Sequence, residues 1–152
     1  MQLTTANPTP AVPAGRATDL RRHAPTLLRV ALGVVFVWFG ALKIANVTPV
    51  AALVADTLAF VPIPPDLLLP ALGAFEVVAG GLLVVGRLLR PVLAVLVAHL
   101  VGTFLVLVTL PGVAFQDGNP LLLTTEGEFV VKNLVLVAGA LAVAATLPAR
   151  RR

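Results

Sequence analysis

Apolar residues in this chain gather into runs near twenty residues long, separated by short polar or proline-rich stretches. Four runs stand out, at about 25–45, 67–86, 91–110 and 129–147. Each matches the ~20 residues that an α-helix needs to cross a hydrocarbon core of ~30 Å. Local signals mark the boundaries. Pro91 after Arg90 can open the third helix and Pro111-Gly112 can close it. Thr125-Glu126-Gly127-Glu128 has capping-box spacing and should start the fourth. Thr48-Pro49 suggests a cap for a short helix over 50–60, whose apolar Val50, Leu53, Val54 and Leu58 suit lying in the membrane interface. Pro62-Ile63-Pro64-Pro65 then stops it. The pattern predicts an all-α membrane protein, a four-transmembrane-helix bundle with a short interfacial helix in the first outer loop. A polar Pro/Thr/Ala-rich tail over 1–23 is expected to be disordered. The transmembrane domain is expected over 24–148, with a basic end at 149–152. A cleaved signal peptide is not expected, because the first apolar run is too long and follows a long polar lead-in.

Composition makes the bilayer the main solvent. The chain has 152 residues, of which 59% are hydrophobic and 12% charged. Its mean hydropathy is +1.01, whereas a soluble domain would carry roughly 25% charged residues. The absence of cysteine removes disulfides, thiol redox chemistry and iron–sulfur ligation. Two histidines, His23 and His99, are a poor supply for a haem or a metal cluster, and no metal site is expected. A net charge of +4 would suit nucleic acid in a soluble protein. Here the basic residues flank the spans, so they report topology and no nucleic-acid partner is expected. Arg16, Arg21, Arg22, Arg29, Arg87, Arg90 and Arg150 to Arg152 fall on the side of the N-terminus. Lys43 and Lys132 fall on the other side, among Asp56, Asp66, Asp117, Glu126 and Glu128. Both termini are therefore expected in the cytoplasm, with the chain in the cell (inner) membrane.

Charges inside the spans carry the candidate chemistry. Glu76 is the sole charged residue of the run 67–85, and a charged residue at mid-membrane costs roughly 2.5–3.5 kcal/mol on insertion scales. Such a group should face protein, a partner charge or a polar cavity. Helical spacing aligns Arg29, Gly33, Phe36, Gly40 and Lys43 on one stripe, and Gly73, Glu76 and Gly80 on another. Glycine stripes let membrane helices approach closely. A rise of ~1.5 Å per residue puts Glu76 roughly 15 Å beyond Asp66 and His99 roughly 12 Å beyond Pro91. Both are then near the midplane, on antiparallel helices joined by a short loop, which predicts a Glu76–His99 hydrogen bond. Arg29 is a further candidate for this buried polar site.

The pair has two readings. In one it is a buried clasp that fixes helix packing. In the other it handles protons or binds a ligand, as quinol chemistry would require. A second candidate cluster lies nearer the opposite surface. Lys43 ends the first helix, while Glu128 and Lys132 form an i,i+4 pair beside Asn133. With Trp38 they would make the mouth of an outward-facing pocket suited to a quinone headgroup or a small anion. Alternatively, Lys43 and Lys132 snorkel to the headgroups.

Three segments carry a resemblance. Leu28-Arg29-Val-Ala-Leu-Gly33-Val-Val-Phe36-Val-Trp38-Phe39-Gly40-Ala-Leu-Lys43 resembles the opening helix of DoxX-family membrane proteins. Leu72-Gly73-Ala-Phe-Glu76-Val-Val-Ala-Gly80-Gly81 is similar to the family's second-helix signature. The stretch from Glu126 through Lys132-Asn133 is similar to the DoxX-like branch that includes the reactive-chlorine-resistance membrane protein. The resemblance implies a four-helix membrane bundle. It also implies a link to quinone redox chemistry, because the family is named after a subunit of a thiosulfate:quinone oxidoreductase. His99 is not part of it.

The expected role is an accessory or quinone-linked subunit of a membrane redox system, built around Arg29, Glu76 and His99. The alternative is a non-enzymatic membrane subunit or small-molecule binder whose buried charges serve packing. A proton-coupled transporter is a third option, although four spans show no clear inverted repeat. Expected partners are the lipid bilayer, a quinone or another small hydrophobic ligand, and a membrane redox partner or a second copy of the chain. No redox centre is evident in the chain itself, so electron transfer would need a bound organic cofactor such as quinone, or a partner.

Overall fold

A computed structural model describes residues 14–148 of the protein, with side chains from Asp19 onward apart from Leu20. The first helix, α1, covers Ala14–Ile44, followed by a short α2 (Ala51–Thr57) and a long α3 (Pro65–Val85). The third span is α4 (Leu89–Thr103) continued by α5 (Val106–Thr109). A single-turn α6 (Pro111–Ala114) follows, and the fourth span is α7 (Thr125–Val131) continued by α8 (Asn133–Ala145). Four stretches are long and apolar enough to cross a membrane: Arg21–Ile44, Pro65–Val85, Leu89–Thr109 and Thr125–Ala145. No strand occurs among the described residues; Phe115 and Leu123 make one isolated bridge. This is the all-α, four-helix membrane architecture that the apolar runs predict.

The first thirteen residues of the polar tail and the arginine-rich end at 149–152 lie outside the described residues. From Ala14 the chain is already helical, so the first helix takes in residues 14–23 of the stretch expected to be disordered.

The antiparallel α1 and α3 form the tightest pair, and their glycines explain why. A Cβ on Gly33 would sit 2.7 Å from the Gly80 carbonyl oxygen, and one on Gly40 would sit 2.5 Å from that of Gly73. Backbone therefore meets backbone at two points seven residues apart on each helix, a small-residue membrane contact. α3 ends at Gly86, whose φ of 82° lies in the left-handed region. The Gly86 amide donates to Leu83 O and the Arg87 amide to Leu82 O, closing a Schellman motif.

Two apolar cores result. The larger, at the end where α1 begins, joins all four spans through residues such as Leu32, Leu83, Leu93, Leu96 and Val143. The smaller, at the opposite end, gathers Val106, Ala114 and Val130 under the 110–124 segment.

Several boundary signals shift. The fourth span is capped by Thr124, not Thr125: its hydroxyl accepts from the Gly127 amide at 3.1 Å. The third residue of the helix is then Gly127 rather than a glutamate, because Gly127 packs directly on the Ala114 carbonyl. Val50 rather than Thr48 precedes α2, and no side chain caps it. The third span begins at Leu89, two residues before Pro91.

Candidate functional site

The third and fourth spans both break. After Thr103 the ladder tightens, with the Phe104 and Leu105 amides donating three residues back to Val101 and Gly102. At Lys132 the fourth span hands over from α7 to α8. The breaks face each other, since Asn133 Nδ2 donates to Thr103 Oγ1 at 2.9 Å. Thr103 Oγ1 donates in turn to the Leu100 carbonyl at 2.6 Å. Between these spans, α1 and α3 lies a cavity of about 690 Å³. It is far more apolar than polar in its lining, and it falls within the size range of small-molecule sites.

Helical stripes build its walls. Phe36, Phe39 and Lys43 of α1 point into it, spaced three and four apart. Val50, Leu53, Val54, Thr57 and Leu58 cover it from α2 and the residues that flank it. The apolar stripe expected to rest in the membrane interface thus roofs a protein cavity. Phe39 meets Phe129 edge-on at 6.1 Å, closing one side.

Its polar wall is a triad that bridges three spans. Glu76, only 4% exposed, accepts from Lys43 Nζ at 2.6 Å through Oε2 and from His99 Nε2 at 2.9 Å through Oε1. Lys43 is itself 8% exposed. Phe75 packs edge-on to the His99 ring at 5.3 Å, and Phe36 lies tilted at 6.4 Å. Among the described residues no buried side-chain polar atom lacks a partner. Desolvated charges persist only when paired in this way.

The structure joins Glu76 with His99 but separates both from Arg29. In the antiparallel register Arg29 falls opposite the end of α3, where its guanidinium donates to the carbonyls of Leu83 and, at 3.1 Å, Val84. A cation on the last carbonyls of a helix complements the negative end of its dipole. Arg29 is a cap on carbonyls about two turns along α3 from Glu76, outside the site.

Lys43 moves the other way, from the pocket mouth to the buried triad. Helical side chains lean toward their own N-terminus. Lys43 on α1 therefore leans into the bundle, and Glu76 on the antiparallel α3 leans out to meet it. The remaining candidates at the mouth divide. Lys132 and Asn133 line the cavity, and Lys132 keeps its i,i+4 pair with Glu128 at 3.1 Å. Glu128 is exposed and lies outside the lining. Trp38 is 67% exposed and off the stripe that faces the cavity; its neighbour Phe39 occupies the wall instead. Reading the sequence by depth missed Lys43 as a partner for Glu76. The available signal was its place on the Gly33–Gly40 stripe, which faces the Gly73–Gly80 stripe carrying Glu76.

The sequence model of the DoxX family matches residues 24–109, more than half of the chain. The chain belongs to the DoxX family. No curated protein and no solved structure matches it. The DoxX match takes in all three triad residues and both glycine stripes. It ends with the third span, so the wall contributed by Lys132 and Asn133 lies beyond the matched region. With four apolar spans and DoxX membership, this is a small multi-pass membrane protein.

Proposed function

We propose that this DoxX protein holds a small, largely apolar molecule with a polar head in the cavity above the Lys43–Glu76–His99 triad. A quinone is the fitting class. One observation carries the reading: an apolar space of about 690 Å³ ends on a polar wall of known hydrogen-bonding groups. Apolar walls with a few convergent polar groups characterise small-molecule sites. In this role the protein is an accessory or quinone-linked subunit of a membrane redox system, and any electrons come from a partner. The bias of arginine toward the end where α1 begins supports an inner-membrane location with both termini cytoplasmic.

A second reading has an observation of its own. Both Glu76 oxygens are already engaged, which suits a clasp that fixes α1, α3 and α4 without any ligand.

Mass spectrometry of small molecules extracted from protein in mild detergent separates the two readings. The ligand reading expects a quinone or similar molecule with wild type and its loss in Glu76→Gln. Lipid alone in both proteins would favour the clasp.

A further inference from the structure

His99 has two ring nitrogens, and Glu76 uses one. An ionised carboxylate only accepts hydrogen bonds. The Nε2 atom that lies 2.9 Å from Glu76 Oε1 must therefore carry the proton. A neutral imidazole with its proton on Nε2 leaves Nδ1 as a bare acceptor. Nδ1 makes no hydrogen bond among the described residues, yet it is not among buried atoms left without a partner. It is therefore reachable, and His99 lines the cavity. On the other Glu76 oxygen, the Lys43 ammonium uses one of its three hydrogens, and Lys43 lines the same cavity. Two residues that line the cavity thus keep hydrogen-bonding capacity that Glu76 does not use, an acceptor on neutral His99 and further donors on Lys43.

We infer that the cavity selects molecules whose polar head is a hydroxyl, a phenol or the reduced hydroquinone, over ethers and carbonyls. The inference rests on the ligand reading above and narrows its quinone class to the reduced, hydroquinone form. A hydroxyl donates to His99 Nδ1 while its oxygen accepts from Lys43. A quinone carbonyl or an ether oxygen only accepts, so it leaves Nδ1 unpaired. An amine would meet the Lys43 charge. Sites built to pair a hydroxyl reject analogues without it, because their own polar groups are then left unsatisfied. Glu76 orients the ring and fixes its tautomer, so it is a positioning residue for this recognition.

The test uses the full chain in mild detergent and two probes with the same alkyl tail, a 4-alkylphenol and its O-methyl ether. Binding of each is measured by equilibrium dialysis. Wild type is expected to bind the phenol up to about tenfold more tightly than the ether, the contribution of one hydrogen bond. His99→Gln can keep a donor toward Glu76 but has no group at the Nδ1 position, so the phenol-to-ether ratio should fall close to one. Equal binding of both probes to wild type would overturn the inference while leaving the cavity as a ligand site. Binding of neither probe would overturn both. Nitrogen-15 spectra of histidine-labelled wild type give a second readout that needs no site variant. The phenol, and not the ether, should displace the unprotonated Nδ1 resonance of His99, identified with a His23→Ala control. An unmoved resonance would overturn the inference.

Discussion

The two ends of the bundle are built on opposite plans. Toward the end where α1 begins, helices run unbroken, Leu83 and Leu96 are fully buried, and Arg29 seals the last carbonyls of α3. Toward the other end the third and fourth spans break, a short helix folds over the top, and space opens between them. Glu76, Lys43 and His99 sit where the plans meet. The contrast teaches how a chain of four spans can hold a cavity at all. One half is packed closely enough to fix helix positions, so the other half can afford imperfect helices and a buried charge pair.

Substitutions that attack the packed half should do the most damage. Gly40→Leu would drive a side chain into the Gly73 carbonyl and the Glu76 Cβ, 2.5 and 2.9 Å from where a Cβ would sit. A loss of about 3 kcal/mol or more is expected, seen as loss of folded protein by circular dichroism on heating. Gly139→Ala is the control, because its Cβ would meet only leucine methyls at 3.5 Å or more. It should be neutral or slightly stabilising. Equal damage from both would dissolve the distinction between the glycine-sealed pair and the rest.

At the junction, Lys43→Met leaves Glu76 with His99 alone and should cost about 3 kcal/mol. Adding Glu76→Gln should recover much of that, since the unpaired charge then disappears. A double-mutant cycle checks this, and strict additivity would mean the pair is not coupled. Farther into the open half, Asn133→Leu breaks the hydrogen bond between the two helix breaks, and about 1 kcal/mol is expected by thermal melt. Glu128→Gln removes an exposed pair whose side chains are more than half accessible. It should stay within about 0.5 kcal/mol of wild type, with little change in melting temperature.

The packed half was also the easier to read. Run length gave the four spans, and glycine spacing identified the faces of α1 and α3 that meet. Depth and antiparallel order were enough to bring Glu76 to His99. The open half follows from tertiary context that no local pattern carries. Nothing near Phe104 or Lys132 has the proline signature of a break; the breaks are held by Asn133 reaching Thr103 across the bundle. Thr124 displaced Thr125 as the cap because Gly127 must pack on a carbonyl of a distant turn. Arg29 and Lys43 share a stripe, but their partners depend on the antiparallel register and on the direction in which helical side chains lean. Depth alone put Arg29 at the buried site and Lys43 at the pocket mouth.

The central claim is that the open half holds a ligand. Gly102 lines the cavity, and a Cβ there would meet nothing within 4 Å. Gly102→Leu should therefore fill part of the space without disturbing the walls. Native mass spectrometry of wild type and this variant, purified alike, tests the claim most directly. Wild type is expected to carry a bound small molecule, and an equally stable Gly102→Leu protein to lack it. An identical bound mass on both, or none on either, would contradict it.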